Sequence, residues 1–75
     1  MTIEQEIIAR LELDGVVPLL GGLVPEADTA KLLGYAPSYL RRLAAARQSP
    51  VPYVLRGNRR FYRVADIGRF VTETV

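Results

Sequence analysis

The stretch "GYAPSYLRRL", Gly34–Leu43, decides the fold because it has the form of a tight turn followed by the start of a helix. Gly34 suits a turn that needs positive φ. Ala30, four residues earlier, is small enough for two helices to touch there. Leu40 and Leu43 lie three apart, so a helix can bury both on one side. This spacing predicts two short helices that cross at a steep angle, which is the helix-turn-helix arrangement.

The second helix of such a pair lies in the major groove of DNA, with its N-terminal residues at the base edges. We expect this helix to begin at or near Pro37, because proline suits the first helical position. The alternative is a helical hairpin of a small bundle whose arginines are merely solvated, and the stretch alone does not separate the two. The positions expected to face outward are Ser38, Arg41, Arg42 and Ala45, with Tyr39 at the flank.

Charge is distributed unevenly along the chain, although the net charge is only +2. Residues 1–30 contain six acids and one arginine, whereas residues 31–75 contain nine bases and two acids. Nine of the ten bases are arginine, whose planar fork suits phosphates and guanine edges. A basic half beside an acidic half indicates binding to a polyanion.

The composition argues against several other classes of protein. The chain has no cysteine and no histidine, so the commonest metal ligands and the commonest general base are missing. We expect no enzymatic activity, no metal and no cofactor. No apolar run approaches the ~20 residues of a membrane helix, and Glu4 and Glu6 stand where a secretory signal would be positive. The expected location is the cytoplasm, in association with the nucleoid, with no membrane contact.

Local signals predict the order of the elements. Residues 2–13 form a helix that starts with a capping box at Thr2 and Gln5. An irregular apolar connector follows, with a short extended piece at Leu23-Val24. The later elements are a helix from Pro25 to Gly34, a helix over 37–48, a β-hairpin over 53–63 and a last helix over 64–72.

The hairpin carries like charges at its tip. Gly57-Asn58 fits a two-residue loop of type II′, which sets Arg56 directly opposite Arg59. Facing like charges cost up to ~1 kcal/mol, and a phosphate backbone would offset this cost. The alternative is a solvated tip whose charges discourage edge pairing. Side chains alternate between the two faces of a strand. Val54 and Phe61 therefore lie on one face of the hairpin, and Tyr53, Leu55 and Tyr62 lie on the other. Alternation does not decide which face packs into the core.

Taken together, these motifs resemble a family. The segments "TAKLLGYAPSYLRRL" (29–43), "VP" (51–52), "RGNRRFY" (56–62) and "VADIGRFV" (64–71) resemble compact winged-helix domains. These are the domains of phage and mobile-element excisionases, of AlpA-like regulators and of the MerR-like DNA-binding head. The likeness covers about residues 23–72, and Tyr35 departs from it where a smaller aliphatic residue is usual. No long C-terminal coiled coil follows, so an effector-sensing regulator of the full MerR type is not expected.

The resemblance implies a mainly α fold with a small β-hairpin, a winged helix-turn-helix with an extra N-terminal helix. Residues 1–22 would be the N-terminal helix and apolar connector, and residues 23–75 the DNA-binding domain. The implied recognition-helix contacts are Ser38, Tyr39, Arg41 and Arg42; the implied wing contacts are Arg56, Asn58, Arg59 and Arg60; further candidates for phosphate contacts are Lys31 and Arg63.

The implied function is that of a sequence-specific, architectural DNA-binding protein. It would be an excisionase, or recombination directionality factor, of a phage or integrative element, and also a transcriptional regulator. Its partners would be double-stranded DNA and a site-specific integrase, with cooperative head-to-tail self-association on DNA. The N-terminal helix would either enlarge the core or mediate that association. The alternative function is a small interaction adaptor that docks its Arg-rich face on an acidic partner.

Overall fold

The computed structural model describes residues 1–73, and within them the chain forms four helices and three strands. The predicted DNA-binding domain extends to residue 75, so its last two residues lie outside the described part. In chain order the elements are α1 (Ile3–Leu13), β1 (Leu23–Pro25), α2 (Glu26–Leu33), α3 (Pro37–Ala45), β2 (Val54–Arg56), β3 (Arg59–Arg63) and α4 (Val64–Glu73).

The predicted capping box of α1 is confirmed. The backbone N–H of Gln5 donates to Thr2 Oγ1 at 3.1 Å, and the backbone N–H of Thr2 donates to Gln5 Oε1 at 2.9 Å. The helix runs to Leu13, and Asp14 caps its end. Two otherwise unpaired donors at the start of α1 are thereby satisfied within four residues of chain.

Helices α2 and α3 end in the same way. A residue with positive φ is followed by a backbone N–H that donates to the carbonyl five residues earlier. At the end of α2, Gly34 has a φ of +80°, and the N–H of Tyr35 donates to the carbonyl of Ala30 at 2.8 Å. At the end of α3, Arg47 has a φ of +58°, and the N–H of Gln48 donates to the carbonyl of Leu43 at 2.8 Å. Because an arginine occupies the left-handed position, no glycine marked this end, and α3 is three residues shorter than predicted.

The sheet is larger than the hairpin predicted from the sequence. Three antiparallel strands lie in the order β1-β3-β2, with Leu23 opposite Arg63 and Pro25 opposite Phe61. The extended piece at Leu23-Val24 is confirmed, but its pairing with β3 has no local signal. The described chain is therefore mixed α and β, with β3 as the central strand.

The turn between β2 and β3 differs from the prediction. Gly57 has a φ of +56° and Asn58 a φ of +65°. Positive φ at both central residues defines a type I′ turn, so the predicted type II′ turn is wrong. Asparagine tolerates the left-handed region because its short side chain bonds locally. The predicted register is confirmed, with Arg56 opposite Arg59 across the turn.

The core lies between the helices and one face of the sheet. Both aromatic residues of β3 are buried, Tyr62 fully and Phe61 to 7% exposure, and Tyr62 is the one that joins the main core cluster. Ala30 and Leu40 are buried where α2 meets α3, as the spacing predicted, but Leu43 is only half-buried and Ala44 is the second buried residue of α3. Helix α1 adds Ile7 and Leu11 to this core, so it enlarges the core, as the first of the two alternatives states.

Helix α1 comes very close to α4. A Cβ built on Gly68 would lie 3.2 Å from Ile3 Cγ2, a distance that only glycine accommodates without a shift of the neighbour. The connector after α1 is less well covered. Val17 and Leu20 in the connector are 85% and 93% exposed, and Leu13, the last residue of α1, is 84% exposed. The N-terminal segment is therefore buried along its helix and open along its connector.

Candidate nucleic-acid interface

Helix α3 presents a defined outer face. Pro37 is its first residue, and Ala36 caps it without a side-chain hydrogen bond. The buried positions are Leu40 and Ala44. Successive residues turn by about 100° in an α-helix, so Ser38 and Arg42 lie opposite the buried pair. The residues at the two flanks are Tyr39 and Arg41, and all four of these side chains are exposed.

The guanidinium group of Arg42 lies over one aromatic ring, and a second ring packs against the first. Its Cζ atom lies over the ring of Tyr39, 5.6 Å from the centroid. Tyr39 in turn packs edge-on against Tyr35, with centroids 5.4 Å apart and an interplanar angle of 85°. A guanidinium over an aromatic face is attracted by the negative face of the ring. The stack therefore restricts the orientations available to Arg42.

The tip of the hairpin lies beside α3. A cleft separates them, and its floor is the start of α2. Three arginines line the cleft against two acids, so the cleft is positive overall. The lining residues are Pro25, Glu26, Ala27 and Asp28 before and within α2, Arg41 from α3, and Asn58, Arg59 and Arg60 from the hairpin.

Glu26 ties the hairpin to α2. Its Oε2 atom accepts hydrogen bonds from Arg60 Nε at 2.8 Å and from the Tyr62 hydroxyl at 2.7 Å. A longer bond, of 3.5 Å, runs from Arg60 Nη2 to the backbone carbonyl of Arg41. The Arg60 guanidinium also lies over the Tyr53 ring, 5.7 Å from the centroid. Arg60 thus contacts α2, α3 and the loop residue Tyr53, and it shares Glu26 as an acceptor with Tyr62.

The protonation states of this group follow from its contacts. The hydrogen bond to Glu26 raises the pKa of the Arg60 guanidinium. Burial, and then the hydrogen bond to Glu26, raise the pKa of the Tyr62 hydroxyl above its ordinary value of 10.0. Both pKa shifts favour the states that these two groups already hold at neutral pH, a protonated Tyr62 and a charged Arg60.

The other arginines near the cleft have no acidic partner among residues 1–73. Arg60–Glu26 is the one ion pair formed within residues 1–73. Arg56 and Arg59 face each other across the turn, and both are exposed. With Arg41 and Arg42 on α3, they give four exposed guanidinium groups on two neighbouring elements. Such a surface attracts anions whose charges are spaced along a line or a groove.

The predicted site residues thus fall into three groups. The cleft brings together Arg41, Asn58, Arg59 and Arg60, and the outer face of α3 adds Ser38 and Arg42, with Tyr39 beside them. Arg56 joins through its pairing with Arg59. Lys31, in the last turn of α2, and Arg63, at the end of β3, are exposed but do not line the cleft.

Two residues with structural roles at this surface were not recognised from the sequence. Glu26 follows Pro25 and has the position of an acid that suits the positive end of a helix, and Tyr35 appears only as a departure from the family pattern. The acidic position of Glu26 in the first turn of α2 gave no indication of its partners, which lie 34 and 36 residues away. Tyr35 precedes Tyr39 by four residues, and that spacing could have indicated the ring contact.

Comparison of the chain with protein-family models, with curated proteins and with solved structures finds no significant match. Within residues 1–73, no helix has the length and apolar character that crossing a membrane requires.

Proposed function

We propose that this chain is a sequence-specific DNA-binding protein of the winged helix-turn-helix type. In this proposal α3 enters the major groove, and the β2–β3 hairpin is the wing that lies on the sugar-phosphate backbone. One observation carries the proposal. Four exposed arginines, Arg41, Arg42, Arg56 and Arg59, cluster on these two elements without an acidic partner among residues 1–73.

The wing supports the proposal through its electrostatic cost. Arg56 and Arg59 are paired directly across the turn, where like charges destabilise a hairpin by a few tenths to ~1 kcal/mol. A phosphate between or beside the two guanidinium groups would remove this repulsion. Binding of DNA would therefore relieve a repulsion between Arg56 and Arg59 that destabilises the free protein.

The finer proposal is an architectural role in excision. Contacts from α3 and from the wing grip the duplex at two separate places, which favours bending between them. The resemblance of residues 29–43, 51–52, 56–62 and 64–71 to excisionase-type domains supports a recombination directionality factor that also regulates transcription. Footprinting on the attachment site and on the promoter of the element that carries the gene separates excision from transcriptional control.

A salt titration tests the DNA-binding proposal. Three phosphate contacts, from Arg41, Arg56 and Arg59, predict a slope of about −2.7 for log K against log salt, and thus a loss of about 40-fold between 50 and 200 mM. A fourth phosphate contact, from Arg42, would steepen the slope to about −3.6 and the loss to about 150-fold. Fluorescence anisotropy with a labelled random duplex measures this slope. Arg41→Ala and Arg59→Ala should each weaken binding, whereas Arg10→Ala, on α1, should not.

Two results would count against the proposal. If Arg41→Ala and Arg59→Ala both leave the affinity unchanged, the Arg-rich surface does not bind DNA. If the parent protein does not bind the random duplex even at low salt, the adaptor function, with an acidic protein partner, becomes the better account of this surface.

A further inference from the structure

We propose that the two adjacent arginines of α3 have different roles: Arg42 reads a guanine edge, and Arg41 holds a phosphate. This inference rests on the proposed function and goes beyond it, because it assigns specificity to one side chain and sequence-independent affinity to its neighbour.

The position of Arg42 on the helix is the first step. It lies about 200° around the helix from buried Leu40, at about 100° per residue, so it lies on the line farthest from the core. Ser38 lies on the same line, one turn nearer the N-terminus of α3. When a helix enters the major groove, this outermost line comes closest to the base edges. Arg42 and Ser38 are therefore the two polar side chains best placed to reach the bases.

The aromatic support of Arg42 is the second step. The Tyr39 ring contacts the Arg42 guanidinium with its Cζ 5.6 Å from the ring centroid, and Tyr35 holds Tyr39 from behind. Stacking of this kind does not use the N–H groups of a guanidinium. No hydrogen bond or ion pair within residues 1–73 uses those of Arg42 either. Arg42 therefore has its fork available for the O6 and N7 atoms of guanine and loses little side-chain freedom on binding.

The surroundings of Arg41 differ. It lies on the flank of α3 that faces the wing, in the cleft that also contains Asn58, Arg59 and Arg60. Its backbone carbonyl accepts the long, exposed bond from Arg60, at 3.5 Å, which places Arg41 beside the hairpin. Two acids, Glu26 and Asp28, lie in the same cleft, and Glu26 is neutralised by Arg60. With α3 in the major groove and the hairpin on the sugar-phosphate backbone, a side chain between them lies at the edge of the groove, where the phosphates are. Arg41 and Arg59 would therefore contact neighbouring phosphates.

Lysine substitutions separate the two roles. Arg42→Lys keeps the positive charge but removes the planar fork, whereas Arg41→Lys keeps the point charge that a phosphate contact needs. The parent protein first selects its preferred site from a randomised duplex library. The measured quantity is then the ratio of the dissociation constant for random duplex to that for the selected site.

We expect Arg42→Lys to lower this ratio by about tenfold to 100-fold, the range for one bidentate contact to guanine. Arg41→Lys should leave the ratio within about twofold, because phosphate contacts carry no sequence information. Alanine variants give a second readout. Arg41→Ala should reduce the salt slope by about 0.9, and Arg42→Ala should leave the slope unchanged.

The aromatic support is tested in the same assay. Tyr39→Leu removes the ring under Arg42 and should lower the ratio more than Tyr39→Phe, which keeps the ring. A ratio that falls for Arg41→Lys and not for Arg42→Lys overturns the assignment while leaving the DNA-binding proposal intact. Absence of any salt-dependent DNA binding by the parent overturns both, so the two failures are distinguishable.

Discussion

Tyr62→Phe isolates the contribution of the bond between the hairpin and α2. The ring of Tyr62 is fully buried, and phenylalanine retains the ring. The substitution therefore removes the hydrogen bond from the hydroxyl to Glu26 Oε2 at 2.7 Å, together with the interaction of the hydroxyl with Ser49, without opening a large cavity. Glu26 keeps its ion pair with Arg60 at 2.8 Å.

The magnitude follows from the charge and the exposure of the acceptor. A hydrogen bond to a charged group contributes about 1.5–3 kcal/mol to stability. The side chain of Glu26 is 15% exposed, so water can partly replace the lost donor. We therefore expect a loss near the lower end, about 1.5 kcal/mol in the free energy of unfolding. For a domain of this size that corresponds to a fall in Tm of about 6–12 °C.

Urea denaturation at pH 7, followed by far-UV circular dichroism, measures the change. With an m-value of about 1 kcal/mol/M for a small domain, the midpoint should fall by about 1.5 M. Tyr53→Phe is the matched control. Its hydroxyl has no hydrogen bond within residues 1–73, and its ring is partly exposed, so its effect should stay within about 0.5 kcal/mol.

A double-mutant cycle makes the test specific. In a Glu26→Ala background the Tyr62 hydroxyl has lost its carboxylate acceptor, so Tyr62→Phe should then cost less than about 0.5 kcal/mol. The reasoning is refuted if Tyr62→Phe costs the same with and without Glu26, or if the single variant is as stable as the Tyr53→Phe control.

Three further predictions concern pH and backbone conformation. Stability should fall as pH rises above about 10, because unfolded tyrosine ionises there while the raised pKa of Tyr62 keeps the folded state protonated. Denaturation between pH 8 and 11 should show this fall in the parent and less of it in Tyr62→Phe; equal slopes would contradict it. Gly34→Ala should destabilise by about 1–2 kcal/mol, because φ is +80° there; Gly34→Asn should cost less, and thermal melts of the two variants decide. Arg47→Gly should stabilise by about 0.5–1 kcal/mol, because it relieves a φ of +58°; a lower urea midpoint than the parent would refute it.

Local features of the fold could be predicted because their signals lie within a few residues. The Thr2–Gln5 capping box, the turn at Gly34 and the start of α3 at Pro37 each depend on residues at most four apart. The end of α3 was misjudged for the opposite reason. Its left-handed residue is Arg47, and an arginine gives no signal for that conformation.

Features that join distant parts of the chain could not be predicted in this way. Strand β1 reads as a short extended piece, and nothing in three residues specifies β3 as its partner. The candidate surface shows the same limit. Arg60 was assigned to the wing together with Arg59, but the structure pairs its guanidinium with Glu26, 34 residues away. The positions of Arg59 and Arg60 beside a tight turn do not indicate which of the two forms an ion pair within the protein.

The pairing of β3 gives the wing a graded stiffness. Phe61, Tyr62 and Arg63 pair with β1, whereas Arg59 and Arg60 pair only with β2. Backbone amides at the base of the hairpin should therefore exchange their hydrogens only when the whole domain opens, while those near Gly57 exchange through local fraying. Arg60 pairs only with β2 but is also held by Glu26, so local freedom is confined to the turn at Gly57 and Asn58 and to the residues beside it. If the hairpin lies on DNA as proposed, that freedom would let its tip adjust to the duplex while the core stays unchanged.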